Sequence, residues 1–277
     1  MVRRRALLVG AGLLTVAAVG GLLAVLVVSA LRDVVARASG PGLLGYPGHT
    51  ATPLSAGPVL VVSGEARATL YDPATRRWRT TEGMTAERLN HTATLLADGR
   101  VLVGGGFTTS PGPRTFDTTE LYDPATGRWR PTGAMLGARS WHTATLLPDG
   151  RVLVVGGYGP ISPSGTHGSF ASAEIYDPAL GRWQQAASLH TARHGHTATL
   201  LGSGQVLVLG GKRLPRPADA STHPDTDEVY TPATDNWQPT PRMVRVQSLP
   251  PRDGGNARVG RAGSGPTLGT RRTGRRA

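Results

Sequence analysis

"HTATLLPDGRVLVVGG" occupies residues 142–157. Two short apolar runs flank Asp149-Gly150, and the second run ends in Gly156-Gly157. That pattern reads as a β-hairpin closed by a tight turn. The same string returns with small changes as "HTATLLADGRVLVGGG" from His91, as "HTATLLGSGQVLVLGG" from His196 and, more worn, as "HTATPLSAGPVLVVSG" from His49. A repeat of this kind decides the architecture before any single residue is interpreted.

Each copy runs on into a second, aromatic hairpin. These are "ATLYDPATRRW" to Trp78, "TELYDPATGRW" to Trp129, "AEIYDPALGRW" to Trp183 and "DEVYTPATDNW" to Trp237. Tyr71, Tyr122, Tyr176 and Tyr230 each stand seven residues before their Trp. Thirteen residues separate Trp78, Trp129 and Trp183 from the next repeat's His, and fifteen separate each His from the last Gly of its pair. All length variation falls between that Gly and the Tyr, as steps of 7, 16, 19 and 19 residues. A constant frame is thus separated from variable inserts at 107–121, 158–175 and 212–229.

Every repeat predicts four strands. "TATLL" and "RVLVVGG" are apolar enough for burial on both faces, "AEIYD" alternates, and the strand opening on Arg-Trp is shorter and more polar. Asp-Gly suits a two-residue hairpin, and "DPATG" a longer one with Pro early and Gly late. The pairs Gly105-Gly106, Gly156-Gly157 and Gly210-Gly211 fall at the end of the second strand, where sheets crowd and a Cβ would clash. The Tyr and Trp residues are predicted to fill the space between neighbouring sheets. A period of about 40–50 residues with four strands each points to propeller blades.

The Gly-Gly pair, the following Tyr-Asp-Pro and the Trp beyond it resemble the kelch repeat over roughly residues 46–243. The form "HTATLLPDGRVLVVGG…YDPATGRW" is similar to exported bacterial kelch proteins and to the propeller of galactose-oxidase-like enzymes. The expected fold is therefore all-β: a kelch-type β-propeller with four recognisable four-stranded blades, at 49–90, 91–141, 142–195 and 196–243, preceded by one N-terminal helix. The resemblance implies six or seven blades, and this chain shows four. After Met243 the sequence turns to "PPRDGGNARVGRAGSGPTLGTRRTGRRA", so 244–277 read as an Arg/Gly-rich disordered tail. Closure of four blades alone, pairing with another chain, and truncation or a frame error are the readings this abrupt stop leaves.

Composition narrows the function. The chain has 277 residues, a net charge of +12, 38 Gly, 22 Pro and no Cys. Without Cys there is no disulfide, no Cys-held zinc and no thiol nucleophile. The copper site of galactose-oxidase-like enzymes, which the resemblance would imply, needs a Tyr–Cys cross-link and cannot form; no cofactor is expected. Residues 1–48 hold five Arg and one Asp, residues 241–277 nine Arg and one Asp, and residues 49–240 balance sixteen basic against sixteen acidic groups. The charge sits at the ends, so no nucleic-acid face is expected on the repeats.

Arg3, Arg4 and Arg5 precede an uncharged apolar run from Ala6 to Leu31. Its 26 residues exceed the roughly 20 needed to span a bilayer. The triple Arg favours a cytoplasmic N-terminus, so residues 1–31 read as a signal anchor, 32–48 as a linker, and the body as lying outside the cytoplasm. The alternative is a signal peptide cleaved near Ala38, where Ala36-Arg37-Ala38 has the small-x-small form.

Four candidate sites remain. His49, His91, His142 and His196 share one repeat position, which suits local hydrogen bonding better than catalysis. His190, His194 and His196 invite a metal reading, weakened because no carboxylate stands near them in sequence. Arg88, Arg139 and Arg193 stand three before a repeat His; they either line a rim and bind anions or make a repeated salt bridge or carbonyl bonds, the second being preferred. Finally, Leu89-Asn90, Ser140-Trp141 and His194-Gly195 differ between repeats in a loop that, by the kelch resemblance, reaches the central rim; Asn90, Trp141 and His194 are the contact candidates it offers. The preferred function is non-catalytic binding of a protein or glycan through rim loops, with self-association to complete the propeller as a further expectation. The alternatives are a carbohydrate-active enzyme on the same scaffold and a truncated propeller without independent function.

Overall fold

The computed structural model describes residues 48–162, 164–214 and 226–240. The apolar run 6–31, most of the linker and the tail lie outside the described residues. Among those described, no helix is long and apolar enough to cross a membrane.

Four antiparallel four-stranded sheets follow one another along the chain. Blade 1 holds β1 (Thr50–Pro53), β2 (Val59–Val62), β3 (Ala68–Asp72) and β4 (Arg77–Thr80). Blade 2 holds β5 (Thr92–Leu95), β6 (Val101–Gly104), β9 (Thr119–Asp123) and β10 (Arg128–Thr132), and its insert forms the small hairpin β7 (Phe107–Thr108) and β8 (Arg114–Thr115). In blade 3 the strands are β11 (Thr143–Leu146), β12 (Val152–Val155), β15 (Ala173–Asp177) and β16 (Arg182–Ala186), with the insert hairpin β13 (Tyr158–Pro160) and β14 (His167–Ser169). Blade 4 has β17 (Thr197–Leu200), β18 (Val206–Leu209), β19 (Asp227–Thr231) and β20 (Asn236–Thr240). The first strands β1, β5, β11 and β17 are neighbours in that order.

The second strands β2, β6 and β12 are buried along their whole length, as their apolar runs require. The first strands depart from the expectation of burial on both faces. Strand β11 is half-buried throughout and β17 is mostly exposed, β17 having no following blade against it among the described residues. The third strands do not alternate in exposure either. In β9 and β15 four consecutive residues are buried, since the polar side carries Glu120 and Glu174, which are buried by ion pairing. The Asp-Gly loops have three residues, 97–99 and 148–150, instead of two. Leu96 N–H donates to Arg100 O at 2.8 Å, Gly99 N–H returns to Leu96 O at 3.0 Å, and Gly99 takes φ +86°. That is a type I turn followed by a left-handed Gly, the geometry of a three-residue hairpin.

Blades pack face to face through shared apolar clusters. Leu60, Val62 and Leu70 of blade 1 meet Val101, Val103 and Tyr122 of blade 2. Leu96, Leu102 and Leu121 meet Val152 and Tyr176 of blade 3. Leu147, Leu153, Val155 and Ile175 meet Val206, Val208, Tyr230 and Trp237 of blade 4. Val59, Val61 and Tyr71 form a small buried cluster on the opposite face of blade 1. Each Tyr lies directly across from its Trp, with ring centroids 5.0–5.1 Å apart. The indoles do more than fill space. Trp129, Trp183 and Trp237 donate Nε1–H to the preceding blade, at Glu82 O, Gly133 O and Ala187 O, over 2.7–2.9 Å.

The repeat histidines also reach between blades, beyond the local bonds expected of them. His91, His142 and His196 place Nε2 2.9 Å from Thr50, Thr92 and Thr143 Oγ1 of the preceding first strand. Burial, the dominant cause, lowers the pKa of His91 to about 4, that of His196 to about 3, and that of His142 well below the ordinary value. These imidazoles are therefore neutral when folded and titrate near 6.5 when unfolded. The unfolded chain binds more protons below that pH, so stability is complete above about 6.5 and falls as pH drops toward the folded values. His91 alone accounts for on the order of 3 kcal/mol across that window. Thermal unfolding recorded from pH 7 to pH 4 is expected to show a steadily falling midpoint. His91→Gln should flatten the profile.

Candidate functional site

The residues read as rim candidates separate into two groups. Arg88, Arg139 and Arg193 are not at a rim. They are 1%, 1% and 0% exposed. Arg88 pairs with Glu120 at 2.8 Å, Arg193 with Glu228 at 2.8 Å, and Arg139 with Glu174. Each also donates to the first Gly of the pair that follows it in the chain, at Gly105 O, Gly156 O and Gly210 O. The planar fork thus reaches a carboxylate and a carbonyl together. Phe116 and Phe170 lie under the Arg88 and Arg139 guanidinium groups at 4.9 and 5.1 Å. No face of these cations is left for an external anion.

The carboxylates also bind the segments that link the fourth strand of one blade to the first strand of the next, the inter-blade linkers. Glu120 accepts from Thr85 N–H, Glu174 from Leu136 and Gly137 N–H, and Glu228 from His190 and Thr191 N–H. Glu120, Glu174 and Glu228 stand two before their Tyr in three of four repeats, so the repeat alignment contained the signal that sequence reasoning passed over. Removing one partner strands a buried charge. Glu174→Leu is expected to cost about 3–5 kcal/mol in urea unfolding. Arg139→Leu combined with it should cost clearly less than the two single changes summed.

The three histidines at 190–196 go separate ways. His190 Nδ1 lies 2.9 Å from Glu228 Oε2, His194 Nδ1 2.8 Å from Ser169 Oγ, and His196 Nε2 faces Thr143. Among the described residues no group of His and carboxylate side chains is arranged to hold a metal ion.

The second group does come together. Every linker pairs with the first residue of its blade's insert: Leu89 with Phe107, Ser140 with Tyr158, His194 with Lys212. The next linker residue turns left-handed, as Asn90 (φ +53°), Trp141 (φ +51°) and Gly195 (φ +61°). Gly and Asn tolerate that region; for a bulky side chain it is strained. Trp141 is held there by main-chain bonds on both sides, its N–H to Asn90 O at 3.2 Å and its C=O from Gly195 N–H at 2.9 Å.

Trp141, 38% exposed, lies 5.0 Å from Phe107, 6.0 Å from Tyr158 and 6.2 Å from His194, centroid to centroid. Tyr158 and His194 are 5.2 Å apart. Trp141, Tyr158, His194, Gly195, Lys212 and Leu214 line a cavity of about 520 Å³. Burial, then the Lys212 charge, lowers the pKa of His194, so the imidazole is neutral near pH 7. Asn90 is a blade away and takes no part in this lining. Tyr158 and Lys212 were not among the sequence candidates. Both immediately follow a Gly pair, a column the repeat comparison treated as the start of an insert.

The Kelch motif model matches residues 142–190. The fold is that of a kelch-type β-propeller. An F-box/kelch-repeat protein of Arabidopsis thaliana is 33% identical over 134 residues, covering 46% of this chain and 34% of that protein. Human Kelch-like protein 34 is 29% identical over 150 residues, covering 51% of this chain and 22% of that one. The chain thus spans about a third of the length of the first of these relatives and about a fifth of the second. The solved structure of YjhT superposes with a TM-score of 0.58 at 16% identity, over 74% of this chain and 67% of its own, a likeness of fold.

Proposed function

We propose that this kelch propeller is a non-catalytic binding module that takes a protein or glycan ligand at the Trp141 cavity. The observation that carries the reading is Trp141 itself. A large aromatic side chain occupies a left-handed position where neighbouring repeats use Asn90 and Gly195, and it presents its ring to a cavity. A strained residue persists where its surroundings hold it, and such residues concentrate at ligand sites. The lining suits grip by contact. Trp141 and Tyr158 supply flat apolar faces, neutral His194 and the Tyr158 hydroxyl supply hydrogen bonds, and Lys212 supplies positive charge. The kelch relatives support a protein ligand, and the exposed indole face suits a sugar ring equally.

The test substitutes Trp141→Asn, the residue found at the equivalent position one repeat earlier, Asn90. Thermal stability should stay within about 1 kcal/mol, because Asn accepts the backbone geometry. Binding on an array of neutral and acidic glycans, or to surface-labelled cell proteins captured by cross-linking, should fall more than tenfold. Undiminished binding by the variant would reject the site.

The body is proposed to lie outside the cytoplasm, held by the apolar run 6–31 behind Arg3, Arg4 and Arg5. Alkaline phosphatase, active only after export, fused behind residue 277 should be active in cells. An inactive, stably expressed fusion would reverse the orientation.

A further inference from the structure

Each blade-to-blade junction has a receiving side and an inserting side. On the receiving side stand a Thr at the head of the first strand, a Gly pair, and apolar residues on the face toward the next blade. Thr50, Thr92 and Thr143 each meet a His of the following blade. Gly106 and Gly157 N–H each donate to the carbonyl of the Arg that leads into the following blade, Arg139 O and Arg193 O, at 2.8 and 2.9 Å. A Cβ on Gly105 or Gly156 would lie 2.5 Å from those same carbonyl oxygens. Blade 4 carries the same set with nothing in it among the described residues. Thr197 is exposed and has no His partner. Nothing lies within 4 Å of a Cβ placed on Gly210. Leu201, Leu207, Leu209 and Val229 are half-buried, whereas their counterparts Leu147, Leu153, Val155 and Ile175 in blade 3 are 0–4% exposed.

The matching inserting side is on blade 1, where Val59, Val61 and Tyr71 are 4–9% exposed in the single chain and Trp78 is the open part. Ala51, Val59, Val61 and Tyr71 repeat, position for position, the face that Ala93, Val101, Val103 and Tyr122 turn toward blade 1. Trp78 is 37% exposed, and its indole N–H lacks the carbonyl that Trp129, Trp183 and Trp237 find in a preceding blade. Blade 1 also lacks both halves of the buried ion pair. Tyr46 stands three before His49 where the others have Arg, and Thr69 stands two before Tyr71 where they have Glu. That pair clamps a covalent linker arriving from the preceding blade, so its joint absence leaves no unpaired charge and fits a junction made without a linker.

We infer that the outer face of blade 4 receives blade 1 of a second copy of this chain, so that two copies joined head to tail make a junction at each such face. Such a pairing is heterologous at each junction and closes by two-fold symmetry, joining four blades to four. It buries the face of Leu207 and Leu209, which would otherwise stay in water.

The full chain in mild detergent, followed by sedimentation, is expected to be a dimer. Thr197→Arg, at an exposed position, and Leu207→Asp with Leu209→Asp should each raise the dissociation constant more than tenfold while the cooperative melt is kept. A chain carrying Ala51→Asp and Trp78→Ala should also be monomeric alone. Mixing it with the Leu207/Leu209 variant restores one intact junction and should return a mixed dimer. A monomeric parent chain would overturn the inference. So would a dimer insensitive to these changes, as association through the N-terminal run would give, or unaided self-association of the Ala51/Trp78 variant, which would signify tail-to-tail contact.

Discussion

The buried Arg–Glu pair that grips each linker is the interaction on which the arrangement of blades depends. A kelch blade alone is a small sheet with two apolar faces, and its neighbour must be held at one register for those faces to meet. Arg139 does this from inside the linker, reaching Glu174 in the third strand and Gly156 O at the end of the second. Its own carbonyl accepts from Gly106 of the preceding blade. One residue therefore ties two blades together through main chain and side chain at once. Burial lowers the pKa of Arg139 and Glu174 offsets it, and the ion pair tolerates burial only because nearly every polar atom around it has a partner.

That clamp explains why the Gly pair is needed. The next linker crosses the end of the second strand so closely that a Cβ on Gly156 would meet Arg193 O at 2.5 Å and the His196 ring at 2.9 Å. It also explains why the histidines recur. An imidazole in that crowded place stays neutral and uses Nε2 to mark the register of the preceding first strand. In blades 2 to 4, Tyr, Trp, His, Arg, Glu and Gly form one connected device for stacking sheets, which leaves the rim loops free to vary.

Variation at the rim produces the cavity. The linker turn needs a left-handed residue, and the same turn carries Asn90, Trp141 and Gly195 in successive blades. Because linkers from neighbouring blades are hydrogen-bonded to one another, Trp141 is brought over Tyr158 and His194, although they lie 17 and 53 positions away in the chain. The frame fixes where the side chains converge, and the inserts decide what they are.

Much of this was legible in the sequence. The four strands of each blade, their hairpin pairing and the Gly, Tyr and Trp frame follow from local periodicity and constant spacing, because a strand and its hairpin partner are close in the chain; the small insert hairpins do not. The same periodicity marked Trp141 and His194 as departures from the repeat. Tertiary structure alone decided which side of each blade faces its neighbour, that Arg88, Arg139 and Arg193 are sealed inside instead of lining a rim, and that Tyr158 and Lys212 complete the cavity. Those facts depend on contacts between residues tens of positions apart, made by sheets stacking on one another, and no local pattern encodes the direction in which a sheet stacks.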